Sequence, residues 1–128
     1  MLIRSTLTAS ALAALLLSAG CSTMSSTAPA MTSDGMLVAR NGMTLYTFDR
    51  DPVGAGKSVC NGPCATNWPP LMAPADAQPV GSYTIVTRDD GSKQYAYQGK
   101  PLYFWAKDTK AGDKTGDGFN NVWHVVKP

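Results

Sequence analysis

LYTFDRD (residues 45–51) and LYFWAKD (residues 102–108) share one frame, Leu-Tyr-x-aromatic-x-x-Asp, and each frame begins three residues after a glycine, Gly42 or Gly99. The agreement continues downstream. Trp68 lies 17 residues after Asp51, and Trp123 lies 15 after Asp108. Two matched frames followed by matched tryptophans indicate an internal duplication, so the fold must be built from two tandem repeats.

The frame reads as a strand running into a loop. In a strand alternate side chains share a face. Tyr46 with Phe48, and Tyr103 with Trp105, therefore point one way, while Leu45 and Leu102 point the other. Asp51 and Asp108 stand where loops begin, and a carboxylate there can accept hydrogen bonds from the turn it opens. Buried aromatics each remove about 150–250 Å² from water, so a small domain needs these rings, together with Trp68 and Trp123, for its core. The competing reading lines a groove with the aromatics and gives the aspartates a cation or sugar to bind.

Around the frames, turn signals separate short alternating runs. MLVA and MTLYTF flank the Asn-Gly turn at 40–42, and SYTIVTR and KQYAYQ flank DDGS at 89–92. QGK turns the chain into PLYFWA, and NVWHVV near the end is β-branched and aromatic. Nothing after Cys21 carries a helical apolar period of useful length. The expected fold is all-β, a small antiparallel domain of hairpins and meanders over residues 35–128, with repeat 1 at about 35–72 and repeat 2 at about 83–128. Such a domain buries about 60–65% of its unfolded surface, so extra bracing is expected.

The N-terminal segment is of another kind. Residues 1–20 carry one basic residue, Arg4, then an Ala/Leu-rich run ending in LSAGC, the build of an export signal rather than a membrane span. LSAGC resembles a bacterial lipobox, which implies acylation of Cys21. Leu17 stands four residues before Cys21 rather than the usual three, with Ser18 in that slot. The alternative is an ordinary signal peptide cut further on. Two acyl chains, at about 0.8 kcal/mol per buried methylene, hold a protein on a membrane where one does so only marginally. Residues 21–34 are small and polar and read as a flexible tether.

Cys60 and Cys64 frame a compact turn, and in an exported protein their simplest state is a disulfide, contributing about 2 kcal/mol. A reactive redox pair is the alternative, although the spacing is not that of thioredoxin-like sites.

The remaining chemistry is sparse. The chain has no glutamate and a single histidine, His124, and its 11 basic residues nearly balance its nine aspartates. No basic run offers a footprint for nucleic acid. DPVGAGKS (residues 51–58) ends like a phosphate-binding loop but has Asp51 where the first glycine is required, so no nucleotide is expected. DKTGDG (residues 113–118) begins like a calcium loop, but its twelfth position is His124 rather than glutamate. One histidine excludes a blue-copper site, and no cofactor is expected. A minority reading keeps His124, with Met43 or Met72, as a haem or copper ligand. No nucleophile elbow is present, and no enzyme activity is expected.

With the repeated frames, the SVCNGPCATNWPPL segment, the closing WHVV and the LSAGC site, the chain resembles a bacterial predicted lipoprotein family carrying a Y-x-[FWY]-x-x-D motif, also described as a secreted repeat of unknown function. The resemblance spans residues 21–128. It implies a β-rich repeat fold and an envelope address and brings no activity, substrate or cofactor. The expectation is a non-enzymatic lipoprotein, anchored to a membrane through Cys21, that binds an envelope component or has a structural role. Because Ser22 rather than aspartate follows Cys21, the resemblance implies the outer membrane if the cell is Gram-negative. The alternative is a small redox or metal-handling protein using His124, methionines or the Cys60/Cys64 pair.

Overall fold

The computed structural model describes Ile3 and residues 27–128. Eight short strands account for the regular structure: β1 Ala30–Ser33, β2 Met36–Ala39, β3 Tyr46–Phe48, β4 Met72–Ala73, β5 Tyr83–Thr87, β6 Lys93–Tyr97, β7 Lys100–Pro101 and β8 Trp123–Val125. All named pairings are antiparallel. One helical turn, α1 Pro63–Asn67, and a 3₁₀ turn at Phe119–Asn121 complete the list. The fold is all-β, with small antiparallel sheets and two tandem copies of one unit.

Each copy starts with a hairpin, β1–β2 in the first and β5–β6 in the second. A tight turn through Gly42 or Gly99 then leads into the motif segment. Both glycines have φ near +80°, and a Cβ on either would strike the opposite copy's loop, at Ala111 Cβ or Gly54 N. That close approach fixes glycine three residues ahead of each motif.

The two copies are interwoven. Tyr46 and Tyr103 exchange both main-chain hydrogen bonds, 2.8 and 3.0 Å, placing the two motif segments side by side. On its other edge each motif segment takes the closing segment of the opposite copy. β3 pairs with β8, putting Phe48 opposite Trp123. Correspondingly, Phe104 N donates to Pro69 O (2.7 Å) and Leu71 N to Leu102 O (2.9 Å). The hairpins attach in matching fashion: Leu45 N donates to Leu37 O and Leu102 N to Tyr95 O, while Leu37 N reaches Val126 O and Tyr95 N reaches Leu71 O. The bonding pattern of one half is thus repeated in the other with roles exchanged, as an approximate two-fold relation requires.

Because the motif alternates, its two faces feed two cores. Leu45 and Leu102 meet with Leu37, Ala30, Ala39 and Tyr83 in one. Tyr46 and Tyr103 meet with Trp68, Trp105, Trp123 and Cys60 in the other.

The ordered region differs from the sequence expectation at its start. Residues 30–34, assigned by composition to the tether of residues 21–34, form β1 and its turn, so repeat 1 begins ahead of residue 35. Main-chain pairing needs no large side chains: Asp34 and Gly35 both take positive φ (49° and 75°), as a two-residue hairpin turn requires, and Ala30 is small enough to sit in the leucine core. Residues 1–20 and the rest of the expected tether up to residue 26, Cys21 included, lie outside the described residues apart from Ile3.

Candidate functional site

The motif side chains converge on one assembly inside the aromatic core. Phe48, Trp123, Trp68 and Trp105 form a continuous column with centroid spacings of 4.2, 3.8 and 4.0 Å and interplanar angles of 10°, 3° and 28°. The rings come alternately from the first and second copy. Tyr46 meets Trp68 edge-on at 5.3 Å, and Tyr103 meets Trp123 edge-on at 5.1 Å. Offset stacks and edge contacts are the favoured aromatic geometries, each adding about 0.5–1.5 kcal/mol beyond burial. The three tryptophans of the column are buried, and Phe48, half-buried at one end, borders a small surface cavity of about 160 Å³.

The aspartates act across the copies. The Tyr46 hydroxyl donates to Asp108 Oδ2 at 2.6 Å, and the Tyr103 hydroxyl donates to Asp51 Oδ2 at 2.5 Å. The second oxygen of each carboxylate turns back to its own loop. Asp51 Oδ1 accepts from Val59 N (2.8 Å), and Asp108 Oδ1 accepts from Thr115 N (3.0 Å) and Thr115 Oγ1 (2.6 Å). Each carboxylate therefore both pins its own loop and latches the opposite motif strand.

Burial, reinforced by the bond to a carboxylate, pushes both tyrosine hydroxyls far above the usual phenol range. Burial also raises Asp51, against the opposing pull of Tyr103, Val59 N–H and the charge of Arg88. The phenols thus stay protonated donors throughout the physiological range.

The first copy's loop has an additional support that sequence reasoning missed. Tyr103 has one proton and gives it to Asp51, so Ser58 must be the donor in the 2.6 Å contact between Ser58 Oγ and the Tyr103 oxygen. Ser58 Oγ in turn accepts from Arg88 Nη1 (3.1 Å). Arg88 is only 6% exposed, and its guanidinium also bonds Gln94 Oε1 (2.8 Å), Cys60 O (2.6 Å) and Asn61 Oδ1. The signal available was the alternation of TIVTR, in which Arg88 falls on the same face as Val86, and that of KQYAY, in which Gln94 shares a face with Ala96.

Cys60 and Cys64 form a disulfide, with the Cα atoms 5.2 Å apart. It closes the turn leading into α1, whose start is also set by Pro63. With the sulfurs joined, neither is a thiolate ligand. His124 lies on β8 opposite Thr47, and its Nε2 is 2.8 Å from Asp49 Oδ2 in an exposed pair. Met72 is exposed on β4 and Met43 lies in the Gly42 turn. Among the described residues no three His, Cys, Asp or Glu side chains converge to hold a metal ion. The aspartates of the DKTGDG stretch bond backbone instead: Asp113 accepts from Thr109 and Lys110 amides, and Asp117 from Val125 N.

A two-copy β-domain whose repeated motif is consumed in joining the copies is a repeat protein in the strict sense, and comparison with known sequences agrees. Residues 29–72 and 84–127 each match the family described as a secreted repeat of unknown function, Lipoprotein_15. The chain belongs to that family. Neither a curated protein nor a solved structure matches it. The family description supports export, and among the described residues no helix is long and apolar enough to cross a membrane.

Proposed function

We propose that the protein is a non-enzymatic lipoprotein of the cell envelope, held on a membrane by acylated Cys21 and presenting the two-repeat domain as a binding or structural module. One observation carries this reading. The residues that define the repeat, Tyr46, Phe48, Asp51, Tyr103, Trp105 and Asp108, have their polar atoms and rings engaged with one another and with loop backbone. What the family shares is therefore an architecture, and the chemistry must lie on the surface that the architecture supports. Export agrees with the disulfide, which persists in oxidising compartments. The Ala/Leu run ending at Cys21 supports the anchor, and Ser22 favours the outer membrane in a Gram-negative cell.

Mass spectrometry of the mature protein tests the proposal. A chain starting at Cys21 with added acyl mass and an oxidised Cys60–Cys64 pair is expected. A mature N-terminus beyond residue 21 without acyl mass would overturn the anchor.

A further inference from the structure

The duplication provides an internal control for what the scaffold needs. Thr47 corresponds to Phe104, Asp49 to Ala106 and Lys100 to Met43, from their places in the two frames. His124 corresponds to Pro69, since Thr47 faces His124 across β3–β8 while Phe104 N bonds Pro69 O. Four positions that are apolar in one setting are polar in the other. The fold tolerates Phe, Ala, Met and Pro there, so architecture alone does not call for the polar set.

These four residues share one place. Thr47, Asp49, Lys100 and His124, with Gln98 and Lys127, line a cavity of about 230 Å³, and Thr47, Asp49 and Lys100 also line an adjoining one of about 160 Å³. The cavity has a structural origin. Phe104 packs its ring against the leucine core, and the corresponding Thr47 lacks the ring that would fill the equivalent space. Thr47 is 7% exposed and lines both cavities. The Asp49 carboxylate is taken up by His124 at 2.8 Å. Asp51 also lines the adjoining cavity, with its two oxygens taken up by the Tyr103 hydroxyl and Val59 N, and neither Lys100 nor Lys127 is in an ion pair among the described residues, so the charged groups left unengaged are the two ammonium groups.

We infer that this cleft binds a phosphoryl group. Two ammonium groups act as point charges suited to a phosphate, the Thr47 hydroxyl and the Gln98 amide supply directional donors, and His124 retains a second ring nitrogen beside its bond to Asp49. The volume lies below the ~300–1,000 Å³ of drug-sized sites, on the scale of a phosphate with a small substituent. The inference deepens the reading of the domain as a binding module and does not depend on the acyl anchor. A phospholipid headgroup and a soluble phosphate ester offer the same chemistry.

The test uses the full chain with Cys21→Ser, so that no acyl group contributes to binding. Titration with inorganic phosphate, followed by calorimetry and by NMR of Thr47 and His124, is expected to show saturable binding with shifts at both residues. Lys100→Met installs the residue that the other copy uses and should leave the melting temperature unchanged while weakening binding about tenfold or more. Binding to phosphatidylglycerol but not phosphatidylcholine vesicles, competed by phosphate, identifies a headgroup; phosphate binding without vesicle binding identifies a soluble ester. No saturable phosphate binding, or wild-type affinity in Lys100→Met, overturns the inference. Either failure leaves the anchor and the scaffold reading standing, since mass spectrometry and thermal melting test those separately.

Discussion

The two loops that follow the motifs solve one problem in different ways. Both must carry the chain from an aspartate to a tryptophan while seating a Tyr–Asp latch. The loop from Asp51 to Trp68 does so with a disulfide, a helical turn and the buried Arg88 network. The loop from Asp108 to Trp123 has neither a disulfide nor a buried arginine, and a 3₁₀ turn at Phe119–Asn121 stands in place of α1. It folds on backbone bonds to Asp113 and Asp117, and Gly116 N donates to the Tyr46 oxygen at 3.3 Å while its bare Cα lies against Trp68 and Trp105. What is common to the copies is the latch and the stack, and what differs is how the loop is braced. Duplication fixed the joint and left its supports free to diverge.

Removing a shared element should have the largest effect. Trp68→Ala and Trp123→Ala each empty the middle of the ring column, and each should cost about 3–5 kcal/mol, similar for the two copies, by chemical denaturation. A clear inequality would break the equivalence drawn here. The latches should then separate the copies. Tyr103→Phe strands Asp51 Oδ2 and disturbs Ser58 and Arg88, a cost of about 2–3 kcal/mol, whereas Tyr46→Phe strands Asp108 Oδ2 and loses only the long 3.3 Å bond from Gly116 N, about 1–2 kcal/mol. Equal losses would mean that the Arg88 network adds nothing. Reducing the Cys60–Cys64 bond should cost about 2 kcal/mol in the chain-entropy view and, by hydrogen exchange, loosen residues 58–68 before residues 109–122. The smallest effect has the opposite sign. Thr44 is buried with no partner for its hydroxyl, and the second copy has Pro101 at the corresponding place. Thr44→Val should raise stability by up to about 1 kcal/mol, read as a higher melting temperature.

Much of this was legible from residues. The duplicated frame indicated the repeat, the Asp90-Gly91 turn indicated the β5–β6 hairpin, the Asn41-Gly42 turn marked the bend from β2 into the first motif segment, and the alternation of Leu45 against Tyr46 and Phe48 indicated two opposed faces. The crossing of partners was not. Periodicity reports which side chains share a face, but it carries no information on whether Asp51 meets Tyr46 or Tyr103, since both choices satisfy the same pattern. β1 was hidden because Ala30–Ser33 has almost no apolar bulk and is specified by its turn and its partner strand. Arg88 was hidden because a charged residue after a strand reads as solvent-facing, and only its ring of neutral acceptors makes burial tolerable.

The crossing of closing segments has a consequence for how this chain acquires its shape. Residue 46 is complete only when residue 125 lies beside it, and residue 103 only when residue 70 has been laid down against it. Neither half holds all of its main-chain partners by itself, so the pairing closes only when nearly the whole chain is available.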